Sequence, residues 1–420
     1  MTGVFEGRRQ ARWLVWRVMF AGALMLWLLA GLSPLMNVVR ADGGAPNLTY
    51  IVGGGASADN LTILDNGARK IAATVPIGGE PRAVALSVDA RFAYVTQSAR
   101  NAVAVVDASS RTVTATIPTG AKPAGLLLDT TTTTARLLVA NSGADTVSVL
   151  NPDARATTAT IQVGQHPTSV ALAGPANELP NAGKPEYYVT NSDADSVSVI
   201  DAGSLKVVAT MPVSGGPITV MIPQSGGVAY VGTRTGAILA IRLVDRQMLG
   251  AIFQLKGAPG QMDYNAISGS IYVPDPAGNA VQVLRPVSPG AAGSSPSLQD
   301  EPIRTLPFPN APSAVAIPAD GTFGMVTEDS PGKATMLDLS TRQPLATFDV
   351  GGKPVAVITG PNPPLLDRQT GVIVGFALTA AMLVALGVVG YFFLRSDRRN
   401  EAKAAARAKS EQAQRQDNDS

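Results

Sequence analysis

Polar and apolar residues alternate in short runs along most of the chain, and the runs return in a fixed order. A turn containing Gly and Pro leads into a first run, such as Ala83-Val84-Ala85-Leu86 or Ser169-Val170-Ala171-Leu172. A second follows, such as Tyr94-Val95-Thr96 or Tyr187-Tyr188-Val189-Thr190-Asn191, and then a polar turn, as at Asn141 to Asp145 or Asn191 to Asp195. A third run reads Val103-Ala104-Val105-Val106-Asp107 or Val197-Ser198-Val199-Ile200-Asp201, and a fourth Ala115-Thr116-Ile117 or Ala209-Thr210-Met211. Short runs rich in β-branched and aromatic side chains, bounded by turn formers, predict four strands joined as an antiparallel meander.

The unit repeats. Seven prolines, Pro81, Pro123, Pro167, Pro217, Pro259, Pro312 and Pro354, stand 42, 44, 50, 42, 53 and 42 residues apart. A period near 42 matches one four-stranded propeller blade. The two long units carry insertions at Gly174 to Glu186 and Pro286 to Arg304, both read as surface loops. Before Pro81 the chain offers Tyr50-Ile51-Val52, Leu61 to Asp65 and Ala73-Thr74-Val75, which are second, third and fourth strands without a first. After Pro354, Val355-Ala356-Val357-Ile358 is a first strand without the rest. One blade shared by both ends would close the ring and remove an exposed sheet edge. The expected fold is therefore all-β: a seven-bladed propeller over residues 48–358, made of four-stranded antiparallel blades and closed by a composite blade, plus a C-terminal transmembrane helix.

That helix is expected at 372–394, a stretch without a charged residue. At about 1.5 Å per residue it reaches roughly 34 Å, enough for a hydrocarbon core of about 30 Å. Residues 359–371 read as a linker and 395–420 as a basic tail that begins Arg395, Arg398, Arg399. At the other end, Arg8, Arg9, Arg12 and Arg17 precede an apolar stretch from Val18 to Leu35, and Val39-Arg40-Ala41 resembles a cleavage site. Residues 1–41 are either a signal peptide or an uncleaved signal anchor. Charge agrees with either: residues 42–367 hold 25 acidic and 20 basic side chains, so the basic excess lies at the ends. Basic ends belong in the cytoplasm and the acidic middle outside it, which gives a cell-membrane protein with one or two spans. A nucleic-acid binder would need its basic stripe on the folded part, so nucleic acid is not an expected partner.

The phrases Tyr187-Tyr188-Val189-Thr190-Asn191 and Tyr94-Val95-Thr96, each followed by a Val-rich run ending in Asp, resemble the YVTN-repeat β-propeller family; Leu138-Val139-Ala140-Asn141 and Tyr230-Val231-Gly232-Thr233 are looser matches. The resemblance covers about residues 48–358. It implies seven blades, an extracytoplasmic or cell-surface setting, and relatives among lactonase-type and lyase-type propellers. It carries over no catalytic motif.

The chain has no Cys and one His, His166. Disulfides, Cys-held metals and c-type haem are excluded, and a lone His cannot supply a multi-His site. No metal site and no cofactor are expected. Asn191, Asp193 and Asp195 read as turn formers rather than calcium ligands. The candidate ligand-binding residues are those at the loops leading into the first strands, around one channel mouth: Glu80, Arg82, Lys122, His166 and Lys353, with Glu80 and Arg82 expected to form a partly solvated pair. The reading is a binding or scaffolding module for a protein, glycan or small ligand. The alternative is a lactonase- or lyase-type enzyme, which requires acidic residues and His166 to converge within about 5 Å at the channel mouth. A weaker third idea is a sensor that signals through its tail.

Overall fold

The computed structural model describes residues 48–360 apart from 55–58, 178, 181–182, 225, 288–301 and 330, together with residue 406. The chain divides into units Met1–Asn362 and Pro363–Ser420, and the propeller belongs to the first. The expected segments 1–41, 372–394 and 395–420 lie outside the described residues, residue 406 excepted. Among the described residues no helix is long and apolar enough to cross a membrane.

The described residues form seven four-stranded sheets. In the first complete blade Pro81–Leu86, Phe92–Gln97, Ala102–Asp107 and Thr112–Pro118 pair in sequence order, antiparallel throughout. The next five blades begin with inner strands at Pro123–Asp129, Pro167–Ala173, Pro217–Met221, Asp263–Tyr264 and Pro312–Ala316. The seventh is the composite one. Ala356–Thr359 pairs with Leu48–Gly54, placing Ile358 opposite Tyr50 and Val357 opposite Ile51. The propeller thus ends one residue beyond the expected limit of 358.

The middle strands carry the core. Glu186–Asn191 is buried along its whole length, whereas in the outer strand Lys206–Pro212 only Met211 is buried. Successive side chains of a strand point to opposite faces, so each blade packs against two neighbours. Tyr187 lies in the cluster between blades two and three, and Tyr188 in the one between blades three and four. Every seam between adjacent blades, including the one across the closure, holds such a cluster. At about 1.5–3 kcal/mol per fully buried aliphatic side chain, these seams are where a blade too thin for its own core finds its stability. The free edges of the outer strands are blunted by β-bulges, for example opposite Val105/Val106 and Val199/Ile200.

Inner strands bulge as well. The register between the first two strands shifts between Pro81 and Val84. There the Thr96 hydroxyl oxygen accepts from the Arg82 and Ala83 amides at 3.3 and 2.9 Å. Thr190 does the same for Ser169 at 3.1 Å. The threonine of the repeated phrase is thus a backbone plug beside the channel.

Two expectations need correction. The insertion from Gly174 to Glu186 is not all surface. Leu179 joins the core, and the buried Asn177 amide donates to the carbonyls of Pro223 and Gly226 in the next blade. Glu186 opens a strand and is wholly buried. The fifth blade also lacks a full inner strand after Pro259. Its Gln261 leaves the blade and runs parallel to the inner strand of blade six, donating to Ser313 O and accepting from Val315 N at 3.0 and 3.1 Å.

Candidate binding channel

Six inner strands and, in blade five, the segment from Pro259 to Met262 enclose a channel of about 550 Å³. Each inner strand is the end strand of its sheet, so one of its edges turns inward; in blades six and seven Gln261 takes part of that edge. Many of the side chains at this level are small, including Ala83, Ala124, Gly125, Ser169, Thr219 and Ser313. Small residues let the strands crowd together: a Cβ on Gly125 would meet the Thr168 carbonyl at 2.7 Å. Arg82 is the one charged residue in the lining.

The loops leading into the inner strands are held by a repeated contact. The residue before the blade proline donates its amide to a turn side chain of the preceding blade, 21 positions back. Glu80 donates to Asp59 at 3.1 Å, Lys122 to Asn101 at 2.9 Å, His166 to Asp145 at 2.9 Å and Gly216 to Asp195 at 2.7 Å. All four donors are left-handed, with φ of 53°, 51°, 55° and 66°. Glycine adopts this region freely; the other three are held in it by the bond and by the proline strand that follows. Where the turn residue is Gly332, no side chain exists to catch the amide. Lys353 there donates to Gly53 O at 3.1 Å and is not left-handed. Asp195 therefore acts as a turn former, as expected, but its carboxylate serves the next blade.

This geometry scatters the five expected residues. Arg82 enters the channel wall, and Glu80 lies 4.0 Å from it, with both side chains more than half exposed. The pair is the partly solvated one expected and contributes under about 1 kcal/mol. Lys122 folds the other way, its stem lying over Gly143 in its own blade's turn. His166 does likewise: its Nδ1 shares a 2.8 Å hydrogen bond with Ser192 Oγ. Arg234 of the next blade donates to Ser192 Oγ and Asp193 Oδ1 at 2.7 and 2.6 Å and holds the Asp193 carboxyl below its usual range. A serine beside a histidine invites a nucleophile reading. Ser192 is buried, however, and its hydroxyl also donates to His166 O at 3.2 Å, so the group works as an inter-blade clasp. Lys353 is exposed at the closure. Among the described residues, no three of His, Asp and Glu come together in a way that could hold a metal ion.

Other charged groups escaped the sequence reading. Arg246 pairs with the buried Glu186, 60 positions away, and Tyr188 donates to the same carboxylate at 3.2 Å. Burial raises the Tyr188 phenol well above its ordinary value. Asp129 is buried and accepts from Tyr187 and Thr131. Asp263, next to the channel wall, accepts from the amides of Ile317 and Tyr264 at 2.7 and 2.8 Å, and desolvation pushes its carboxyl up to about 7. No motif announces any of these; a solitary acidic residue in an apolar strand is the only signal.

No family model matches the chain, and no curated protein matches it. Solved structures do. Hydrazine synthase of Kuenenia stuttgartiensis aligns with a TM-score of 0.54 and 18% identity over 68% of this chain and 91% of that one. The dihydro-heme d1 dehydrogenase NirN, in complex with DHE, aligns with a TM-score of 0.53 and 18% identity over 76% of this chain and 77% of that one. At this identity the likeness concerns the propeller fold alone.

Proposed function

We propose that the chain is a membrane-anchored propeller outside the cytoplasm that binds a ligand in its central channel. The carrying observation is the channel itself: about 550 Å³, walled by every blade and holding a single charge. A volume of this order suits a small molecule. The anchor is supported by the uncharged stretch 372–394 and the basic residues that follow it. The YVTN-repeat resemblance fits a surface setting and adds no chemistry. The lactonase- or lyase-type alternative requires His166 and acidic groups to converge at the channel mouth, whereas His166 lies over Ser192 and Glu80 lies beside Arg82.

Two experiments test the reading. The full chain, purified in detergent, is screened by thermal shift against small acids, sugars and oligosaccharides; a ligand that raises Tm and is lost on filling the channel with Ser169→Trp supports it, and no hit overturns it. The chain has no Cys, so single cysteines report topology. Ser110→Cys on the propeller is expected to react with an impermeant maleimide on intact cells and Ala406→Cys is not. Labelling of the tail from outside defeats the proposed orientation.

A further inference from the structure

The chemistry of the channel narrows what it takes. Arg82 is the one charge in the lining, and no acidic residue lines the wall to repel an anion. A guanidinium carries five N–H donors in a planar fork that matches a carboxylate. Its side chain makes no hydrogen bond among the described residues, and its one ionic neighbour, Glu80, is 4.0 Å away. Their side chains are 55% and 65% exposed, so Glu80 is a loose counter-ion that an incoming anion can displace.

The rest of the wall is neutral, with the side chains of Thr168, Ser169, Thr219 and Ser313 set among apolar ones such as Leu126 and Ile218. Inner-strand edges stand between small side chains such as Ala83, Gly125 and Thr219, and neighbouring blades take some of their backbone groups, as Thr168 takes Ile218 O and Ser169 takes Val220 N. An apolar tail would dry the polar groups of the wall that have no partner in the protein. A second or third negative charge would sit in the channel without a cation. Hydroxyl groups would satisfy the wall.

Building on the channel as the ligand site, we propose that it takes a small hydroxylated monoanion, a hydroxy acid or sugar acid, with its carboxylate on Arg82 and its hydroxyls against the inner-strand edges. Glu80 then acts as a gate that competes for the same guanidinium.

The test is calorimetric titration of the detergent-purified full chain with D-gluconate, D-glucose, hexanoate and citrate. Gluconate is expected to bind at least about tenfold more tightly than the other three, the step that one charge-assisted contact supplies. Arg82→Gln is expected to weaken gluconate by about tenfold or more, Arg82→Lys by less, and Glu80→Gln to strengthen it about threefold. The opposite signs at positions 80 and 82 would not come from a folding defect, and both side chains are exposed enough to be exchanged. Gluconate affinity that ignores both substitutions, or no gluconate binding, overturns the proposal. Glucose bound as tightly as gluconate and insensitive to Arg82→Gln removes the anion site while leaving the channel as a ligand site.

Discussion

The side-chain amide of Gln261 pairs with both backbone groups of Val357, donating to the carbonyl at 2.9 Å and accepting from the amide at 3.1 Å. The two residues are 96 positions apart, in blades five and seven, and the carboxamide acts as a short piece of strand laid across the inner edge of blade six. Gln261 at the same time gives its backbone to blade six. One residue thereby ties three blades beside the composite closure.

Removing that tie has a definite cost. Gln261→Ala is expected to lower stability by about 1–2 kcal/mol, two neutral hydrogen bonds less the water that replaces them. Gln261→Glu keeps the acceptor and loses the donor, so it leaves a carboxylate facing the Val357 carbonyl and is expected to be the worse variant above pH 5. Equilibrium urea unfolding at pH 7 ranks the two; a neutral Gln261→Ala would mean the amide pair carries no closure energy.

The buried pair of Glu186 and Arg246 is a stronger case. Glu186 is fully buried, Arg246 is about one-fifth exposed, and they join blades three and four. Arg246→Ala strands a carboxylate with only the Tyr188 hydroxyl and is expected to cost about 3 kcal/mol or more. The double variant Arg246→Leu with Glu186→Leu is expected to recover most of that loss, since desolvation of both charges disappears with them. Denaturation midpoints of the three proteins decide the matter, and a mild Arg246→Ala would show that water reaches Glu186.

The amide latch predicts a chemical equivalence. Asn101 and Asp145 do the same work for Lys122 and His166. Asp145→Asn is therefore expected to be close to neutral. Asp145→Ala loses the acceptor that holds His166 left-handed and is expected to cost about 1 kcal/mol. Comparable losses for both substitutions would mean the charge, not the oxygen, matters.

These contacts mark where sequence reading stops. The blade period follows from local pattern, because within a complete blade each strand's pairing partner is its chain neighbour, and the composite closure follows from what each end lacks. Val355–Ile358 pairs with Tyr50 on the sequence alone, since no other segment lacks its first strand. Side-chain direction at the loop mouths does not follow from the sequence. Glu80, Lys122, His166 and Lys353 occupy one place in the repeat, yet Lys122 and His166 turn over their own blades and only Arg82 faces the channel. Asp59, Asn101 and Asp145 fix only the loop backbone; the side-chain direction is set by contacts such as Lys122 over Gly143 and His166 on Ser192. Likewise the partners of Glu186, Asp129 and Gln261 lie 60, 58 and 96 positions away, and no periodicity links them.

Asp263 should make stability depend on pH in an unusual direction. Although the residue keeps some surface, its carboxyl is enclosed by protein, and desolvation raises its pKa to about 7 against the backbone amides of Ile317 and Tyr264, which favour the ion. A carboxyl raised in the folded state holds its proton more tightly there than in the unfolded chain. Its contribution is therefore complete below the unfolded value near 4 and is lost as pH rises toward about 7. Turn carboxylates such as the exposed Asp89 and the half-buried Asp338, lowered by the Ser87 and Ser340 hydroxyls, act oppositely: their contribution is present above pH 4 and lost in acid. Wild-type Tm is expected to fall between pH 5 and 7. Asp263→Asn, which cannot ionise, is expected to flatten that interval while leaving the acid limb below pH 4 unchanged. Thermal unfolding of both proteins from pH 3 to 8 tests this, and parallel curves would show that Asp263 ionises as an ordinary carboxylate.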